Sequence, residues 1–333
     1  MGKSRVRWTS VDPWLAESIH EISAETGVTM ADLTDIAFAK LVSQYDAAKR
    51  QGGTFMEMEQ KTAKVIVVGA VKGGVGKTTS AENIAFHLQK RGNTVCLIDV
   101  DSQGDLSKDF GYAEDIKSKK GLTDYIRLLG QNIEDQEEPA SAEPFCRVTS
   151  FKRISILSGD TRTSNIYKTI DNAVNPIDQK KINLYQVMLD QIKKLGKFDY
   201  IVIDTQPSMS ESMYMLYSAC DYLIVPTETT MRSIEAVQNA YELVQNIRRG
   251  YDSNLQLVGV FFTKVDSRLA VSHVNIPAAK EGFGDALFNT SIHLDAKIGR
   301  SENEHFVASE RFPSSAATKD YAALTEEVVS RIG

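Results

Sequence analysis

From residue 65 onward, apolar residues come in short, nearly unbroken runs: VIVVGA, TVCLIDV, FDYIVID, DYLIVP and LQLVGVFF. Strands covered on both faces read this way, because helices on each side of a parallel sheet leave neither face to water. Between the first two runs, in TTSAENIAFHLQKRG, Ala81, Ile84, Ala85 and Leu88 recur at helical spacing, and Gly92 follows as a stop. Strand, loop, helix, strand predicts an α/β domain over residues 65–333, with a mainly parallel sheet flanked by helices. One stretch breaks the rhythm. Residues 131–144, QNIEDQEEPASAEP, read as an acidic, solvated surface loop.

The first fifty residues carry a different pattern. RVRWTS alternates, so that Val6 and Trp8 face one way and Arg5, Arg7 and Thr9 the other, as in a short strand. Asp12-Pro13 suits an N-cap followed by proline at the first helical position, and Leu15, Ile19 and Ile22 form one helical stripe. Gly27 is expected to end that helix. Thr29 to Asp32 approximates a capping box, and Leu33, Ile36, Ala37, Leu41 and Tyr45 form a second stripe. Residues 1–50 therefore predict a small β-α-α unit, and residues 51–64, QGGTFMEMEQKTAK, a linker without periodicity.

Composition changes this picture little. The chain has 333 residues, 42% hydrophobic and 25% charged, with a net charge of −6. No apolar run is long enough for a bilayer and no leader pattern opens the chain, so a cytoplasmic protein is expected. Three cysteines, Cys96, Cys146 and Cys220, cannot all pair and make no C-x-x-C, so neither a disulfide framework nor a zinc site is expected. The net negative charge speaks against a surface coated in positive charge, while leaving room for local basic patches.

The candidate chemistry lies at the strand ends. VVGAVKGGVGKTT nearly fits the phosphate-loop pattern G-x-x-x-x-G-K-[ST], but the first glycine's place falls on Val71. The context fits: a buried strand before and a helix after. Gly73, Gly74 and Gly76 let the backbone N–H groups around Val75 turn inward on phosphate oxygens, and the helix start at Thr78 and Thr79 adds partial positive charge. Lys77 can reach β/γ-phosphates and the Thr78 hydroxyl can ligate Mg²⁺. Asp99 and Asp101 end one apolar run and Asp204 another, so all three should emerge at the carboxyl edge of the sheet. Asp204 suits holding Mg²⁺, with Asp99 as a further candidate, partly through water; Asp101 suits activating the attacking water. A second lysine, Lys72, stands at the loop entrance with no role in a single phosphate site.

KGGVGKTT, LIDVDSQGD and FDYIVIDTQPS closely resemble the deviant Walker A, switch I and Walker B segments of ParA-type partition ATPases, which belong with MinD and the nitrogenase iron protein. The resemblance runs from about Val65 to the C-terminus and includes GVFFTKVDSR and FPSSAATKDYAALTEEV. It implies a P-loop NTPase that hydrolyses Mg-ATP, forms a nucleotide-sandwich homodimer in which Lys72 touches the other subunit's phosphates, binds DNA non-specifically and works with a ParB-like or small partner. A nucleoid-associated protein is then expected. By resemblance Arg268 falls at a DNA-contacting position; Arg248, Arg249, Lys264, Lys297 and Arg300 are further candidates. The chain departs from the family pattern at Ser102 and Gln206, where prolines are usual; both changes loosen the backbone near the hydrolytic loop and bear on rate. The end, YAALTEEVVSRIG, lacks a basic amphipathic face, which argues against MinD-like membrane attachment.

The β-α-α segment resembles the ribbon-helix-helix DNA-binding family. That implies paired strands in a major groove, with Arg5, Arg7 and Thr9 on base edges and the second helix start, near Val28 and Thr29, on phosphate. The alternative for this segment is a helical dimerisation arm. For the whole chain the alternatives are an ATP-regulated repressor, a MinD-like positioning ATPase with protein or membrane cargo, and a metabolic P-loop enzyme.

Overall fold

The computed structural model describes residues 22–24, 27–29, 33, 62–112, 120–174, 181–208, 210–229, 233–266 and 268–333. The chain divides into two units, Met1–Gln60 and Lys61–Gly333. In the first, residues 22–24 are helical, and the Gly27 N–H donates to the Ser23 carbonyl at 3.0 Å, the closing turn expected at Gly27. The Leu33 N–H donates to the Thr29 carbonyl at 2.9 Å, as in the first turn of a following helix. Arg5, Arg7 and Thr9, and with them the ribbon strand, lie outside the described residues.

Among the described residues the second unit has seven strands: β1 Lys64–Val68, β2 Val95–Asp99, β3 Arg147–Val148, β4 Ile154–Leu157, β5 Tyr200–Asp204, β6 Tyr222–Glu228 and β7 Gln256–Thr263. Its helices are α1 Lys77–Lys90, α2 Asp105–Asp109, α3 Leu122–Glu134, α4 Tyr167–Asn172, α5 Leu184–Lys194, α6 Glu211–Ser218, α7 Ser233–Gly250, α8 Ala270–Phe283, α9 Ala296–Glu304, α10 Ala308–Arg311 and α11 Ala316–Ile332. The strands form one sheet in the order β3-β4-β2-β5-β1-β6-β7, and every pairing is parallel except β3 with β4.

Strand alternation explains the two cores. Val65, Val67, Ile98 and Ile203 point to one face, where α3, α5, α6 and α7 pack. Ile66, Val68, Leu97 and Val202 point to the other, against α1 and α11. Each such side chain contributes about 1.5–3 kcal/mol of burial, so the unbroken apolar runs are required by having two covered faces. Cys96 takes part as a small hydrophobe: it is buried in β2, with its sulfur 3.8 Å from that of Cys146.

One expectation needs correction. Residues 131–134 are the last turn of α3 rather than loop. Leu122, Tyr125, Ile126 and Leu129 bury one stripe of this helix, and the acidic residues at its end simply share the solvated face.

The strand order places the site. β5 lies between β2 and β1, and in this register Asp99 pairs with Asp204 and Val68 with Asp204. The carboxyl ends of three strands therefore meet where the connections diverge, the place where open α/β sheets take ligands.

Candidate functional site

The loop after β1 turns into α1 at Gly76, which caps the helix at φ 86°, while Gly74 sits at φ 74°. Both values lie in the left-handed region, where a side chain would be strained, and this lets successive N–H groups line one concave turn. Thr263 Oγ1 braces the loop by donating to the Val75 carbonyl at 2.9 Å. Lys77 follows, 7% exposed. Burial pulls its pKa below the usual ammonium value, and the charges of Asp204 and Asp101 pull back. Lys77, Asp204 and Asp101 thus occupy one electrostatic site.

The Thr78 hydroxyl donates to Asp204 Oδ2 at 2.7 Å. Asp204 is fully buried, and burial together with the Asp99 charge pushes its pKa well up. The Thr78 hydroxyl oxygen and the buried Asp204 carboxylate form a hard, oxygen-only donor pair beside the Lys77 ammonium. Those features fit Mg²⁺, with Thr78 and Asp204 as the residues to hold it.

Asp99 is placed differently from the expectation. Its Oδ2 accepts the Ser107 hydroxyl at 2.6 Å and the Ser107 N–H at 2.9 Å, and its Oδ1 accepts the Asp101 N–H at 3.1 Å. Burial raises its pKa to about 7, while these bonds pull it back. Asp99 is thus committed to folding the loop that carries Asp101, which argues against it as a metal ligand. Asp101 itself is half-buried and accepts the Gln103 N–H at 2.9 Å. Thr79 is also redirected: its hydroxyl donates to Glu302 Oε1 of α9 at 2.7 Å.

Ser107 was not legible as a site residue. Its hydroxyl holds Asp99 and accepts the Gly159 N–H at 2.9 Å, with 1% of the residue exposed. Ser107→Ala leaves a buried N–H and a buried carboxylate each short of a partner. It should destabilise the domain by about 1–3 kcal/mol, read as a lowered midpoint in urea.

At the loop entrance, Lys72 Nζ pairs with Glu228 Oε2 at 2.5 Å, and the lysine side chain stays 61% exposed. Lys264, a candidate for DNA, instead turns toward this loop: its Nζ donates to the Gly74 carbonyl at 2.5 Å and stands 3.6 Å from Glu228 Oε1. Beside Lys72, Val71 is 55% exposed, next to an apolar cavity of about 640 Å³ floored by Val75, Tyr217, Val225, Pro226 and Leu243.

The remaining basic candidates are spread over the unit. Arg268 makes a two-pronged pair with Asp266, at 2.9 and 2.7 Å. Arg300 pairs with Glu304 at 2.7 Å, and both Arg300 and Lys297 stand over the Phe312 ring, at 6.0 and 5.6 Å. Arg248 closes a turn by donating to the Leu255 carbonyl at 2.7 Å; Arg249 is exposed beside it.

A family model described as an AAA domain (AAA_31) matches residues 63–257, more than half of the chain. The chain belongs to that family. It is 27% identical to the chromosome-partitioning ATPase Soj of Treponema pallidum over 271 residues, 81% of this chain and 98% of that one. It is 23% identical to the chromosome partitioning protein ParA of Caulobacter vibrioides, over 82% of this chain and 97% of that one. Its fold matches those of apo McdA from Cyanothece (TM-score 0.65, 21% identity, 81% of this chain and 100% of that one) and the cell division ATPase MinD of Pyrococcus furiosus (TM-score 0.63, 20% identity, 81% and 100%). The ParA-type resemblance read from the motifs and the P-loop fold are thereby borne out. Among the described residues, no helix of this AAA-domain chain is long and apolar enough to cross a membrane.

Proposed function

We propose that this chain is a Mg-ATP-hydrolysing ATPase of the DNA-partition type. One observation carries the reading: Lys77, Thr78, Asp204 and Asp101 share one sheet edge beneath a glycine-rich N–H cradle, while a second lysine, Lys72, stands outward at its rim. ATP binds with its phosphates in the loop of Gly73 to Thr79. Lys77 balances β/γ charge. Mg²⁺, when bound, neutralises phosphate charge, and Thr78 and Asp204 are the residues to hold it. Asp101 takes a proton from the attacking water. Hydrolysis breaks the bond between the γ-phosphorus and its bridging oxygen and yields ADP and phosphate.

Lys72 acts on a second copy. A cation offered across an interface is stabilised by phosphate only when two nucleotide-loaded subunits meet, so ATP favours the dimer. The exposed Val71 and the apolar cavity beside Lys72 support this face as the one that is covered. The dimer holds DNA non-specifically through Arg268, Arg249, Arg248 and Arg300, and releases it after hydrolysis, which a ParB-like or small partner stimulates. The N-terminal unit, through Arg5, Arg7 and Thr9, adds binding to a specific operator or centromere-like site. The cargo is a replicon, and the protein works on the nucleoid.

The test is phosphate release from Mg-ATP in the presence of random duplex DNA. Lys77→Ala should lower it at least about a hundredfold, since the main cation on the transferred group is gone. An unchanged rate would refute the assignment.

A further inference from the structure

Outside the phosphate site lies a second cluster of acids. Glu82, in the middle of α1, is 1% exposed. Its Oε1 accepts from Asn83 Nδ2 at 2.9 Å. Its Oε2 meets no donor among the described residues, yet the carboxyl stands within hydrogen-bonding reach of Asp109 at the end of α2. Asp109, whose side chain is 7% exposed, holds His305 Nδ1 on its Oδ1 at 2.9 Å. His305 directly follows α9, and Glu302 of that helix holds Thr79. Three elements therefore converge: the phosphate-loop helix, the short helix behind Asp101, and α9.

Two ionised carboxylates offer only acceptors, so no hydrogen bond can join them. One proton between them satisfies both. The surroundings favour it. Asp105 from α2, Glu302 from α9 and the Tyr321 hydroxyl from α11 also face the pair, and His305 is its one basic neighbour among the groups acting on it. Burial and mutual repulsion raise Glu82 well above the usual carboxylate value, and burial raises Asp109 to about 6.

We propose that Glu82 and Asp109 are positioning residues joined by one shared proton, which docks α2 on α1 and so holds the Asp101 loop against the nucleotide. The inference rests on the reading that Asp101 activates water. A proton bound more tightly in the docked form favours docking at low pH, and that advantage is lost as pH rises through the pair's titration. Two buried negative charges then push α2 off α1. The loop of Gly73 to Thr79 still binds nucleotide, so kcat falls while KM does not.

The experiment is phosphate release at saturating Mg-ATP across pH, on the full chain, for wild type, Glu82→Gln and Asp109→Asn. The infrared carbonyl stretch of a protonated carboxylic acid is followed in parallel. An amide donates permanently to the remaining carboxylate. The wild type should lose about tenfold in kcat per pH unit above the titration, and both variants should stay flat there. A protonated-acid band should bleach in the wild type over the same range and be missing from either variant. A pH profile shared by wild type and variants, or a wild-type band that Glu82→Gln and Asp109→Asn leave intact, overturns the proposal. Should the wild type hydrolyse no ATP at any pH, the ATPase reading fails, and the band alone decides whether the proton is shared.

Discussion

Asp101→Ala should bind Mg-ATP and pair as the wild type does, yet release phosphate about 10²–10⁴-fold more slowly, the range for removal of a general base. Asp101 differs from its neighbours in what its carboxylate touches. Asp204 is bonded to Thr78 and Asp99 to Ser107, whereas Asp101 is half-buried and spends one bond on the Gln103 N–H. It is the carboxylate of the three that is not fully buried, so water can reach it. Asp101→Asn keeps the shape and the turn while removing the base, so it should be nearly as slow. Single-turnover phosphate release, with nucleotide affinity measured alongside, separates lost chemistry from lost binding. A variant that also fails to bind ATP would show that Asp101 builds the pocket.

Lys72→Ala should leave each subunit able to bind ATP but weaken ATP-dependent pairing by about 10²–10⁴-fold. A charged hydrogen bond to phosphate contributes about 1.5–3 kcal/mol, and a symmetric dimer has two of them, so about 3–6 kcal/mol is lost. Against this stands the Lys72–Glu228 pair, which pairing must break. With the lysine 61% exposed, that pair contributes only about 0–1 kcal/mol. Trading one exposed ion pair for a desolvated phosphate contact favours the dimer. Sedimentation at graded protein concentration reads the change directly. Pairing unaffected by Lys72→Ala would return Lys72 to the role of a surface charge.

The parts that could be read from the chain were those set by local rules. Unbroken apolar runs meant doubly covered strands, and the loop after β1 was legible because glycines, lysine and threonine are adjacent in sequence. What escaped lay in tertiary pairing. Nothing around Asp99 says that Ser107 will consume it, since the bond needs α2 to fold back over β2. The partners of Lys72 and Thr79, Glu228 and Glu302, stand more than 150 and 220 positions away. Lys264 read as a free basic residue because its sequence gives no hint of the φ of 53° that turns it toward the loop. In the acidic 131–144 stretch, 135–144 is loop as expected and only 131–134 misled: charge marks a solvated face, and a helix end has one as much as a loop does.

The central claim is that ATP assembles a DNA-holding dimer through Lys72. Retention of random duplex DNA by the full chain tests it most directly, with Mg-ATP, with Mg-ADP and without nucleotide, for wild type and Lys72→Ala. The wild type should retain DNA with Mg-ATP, less so with added salt as phosphate contacts require, and little should be retained in any other arm. Equal retention in all nucleotide states, or none in any, would contradict it.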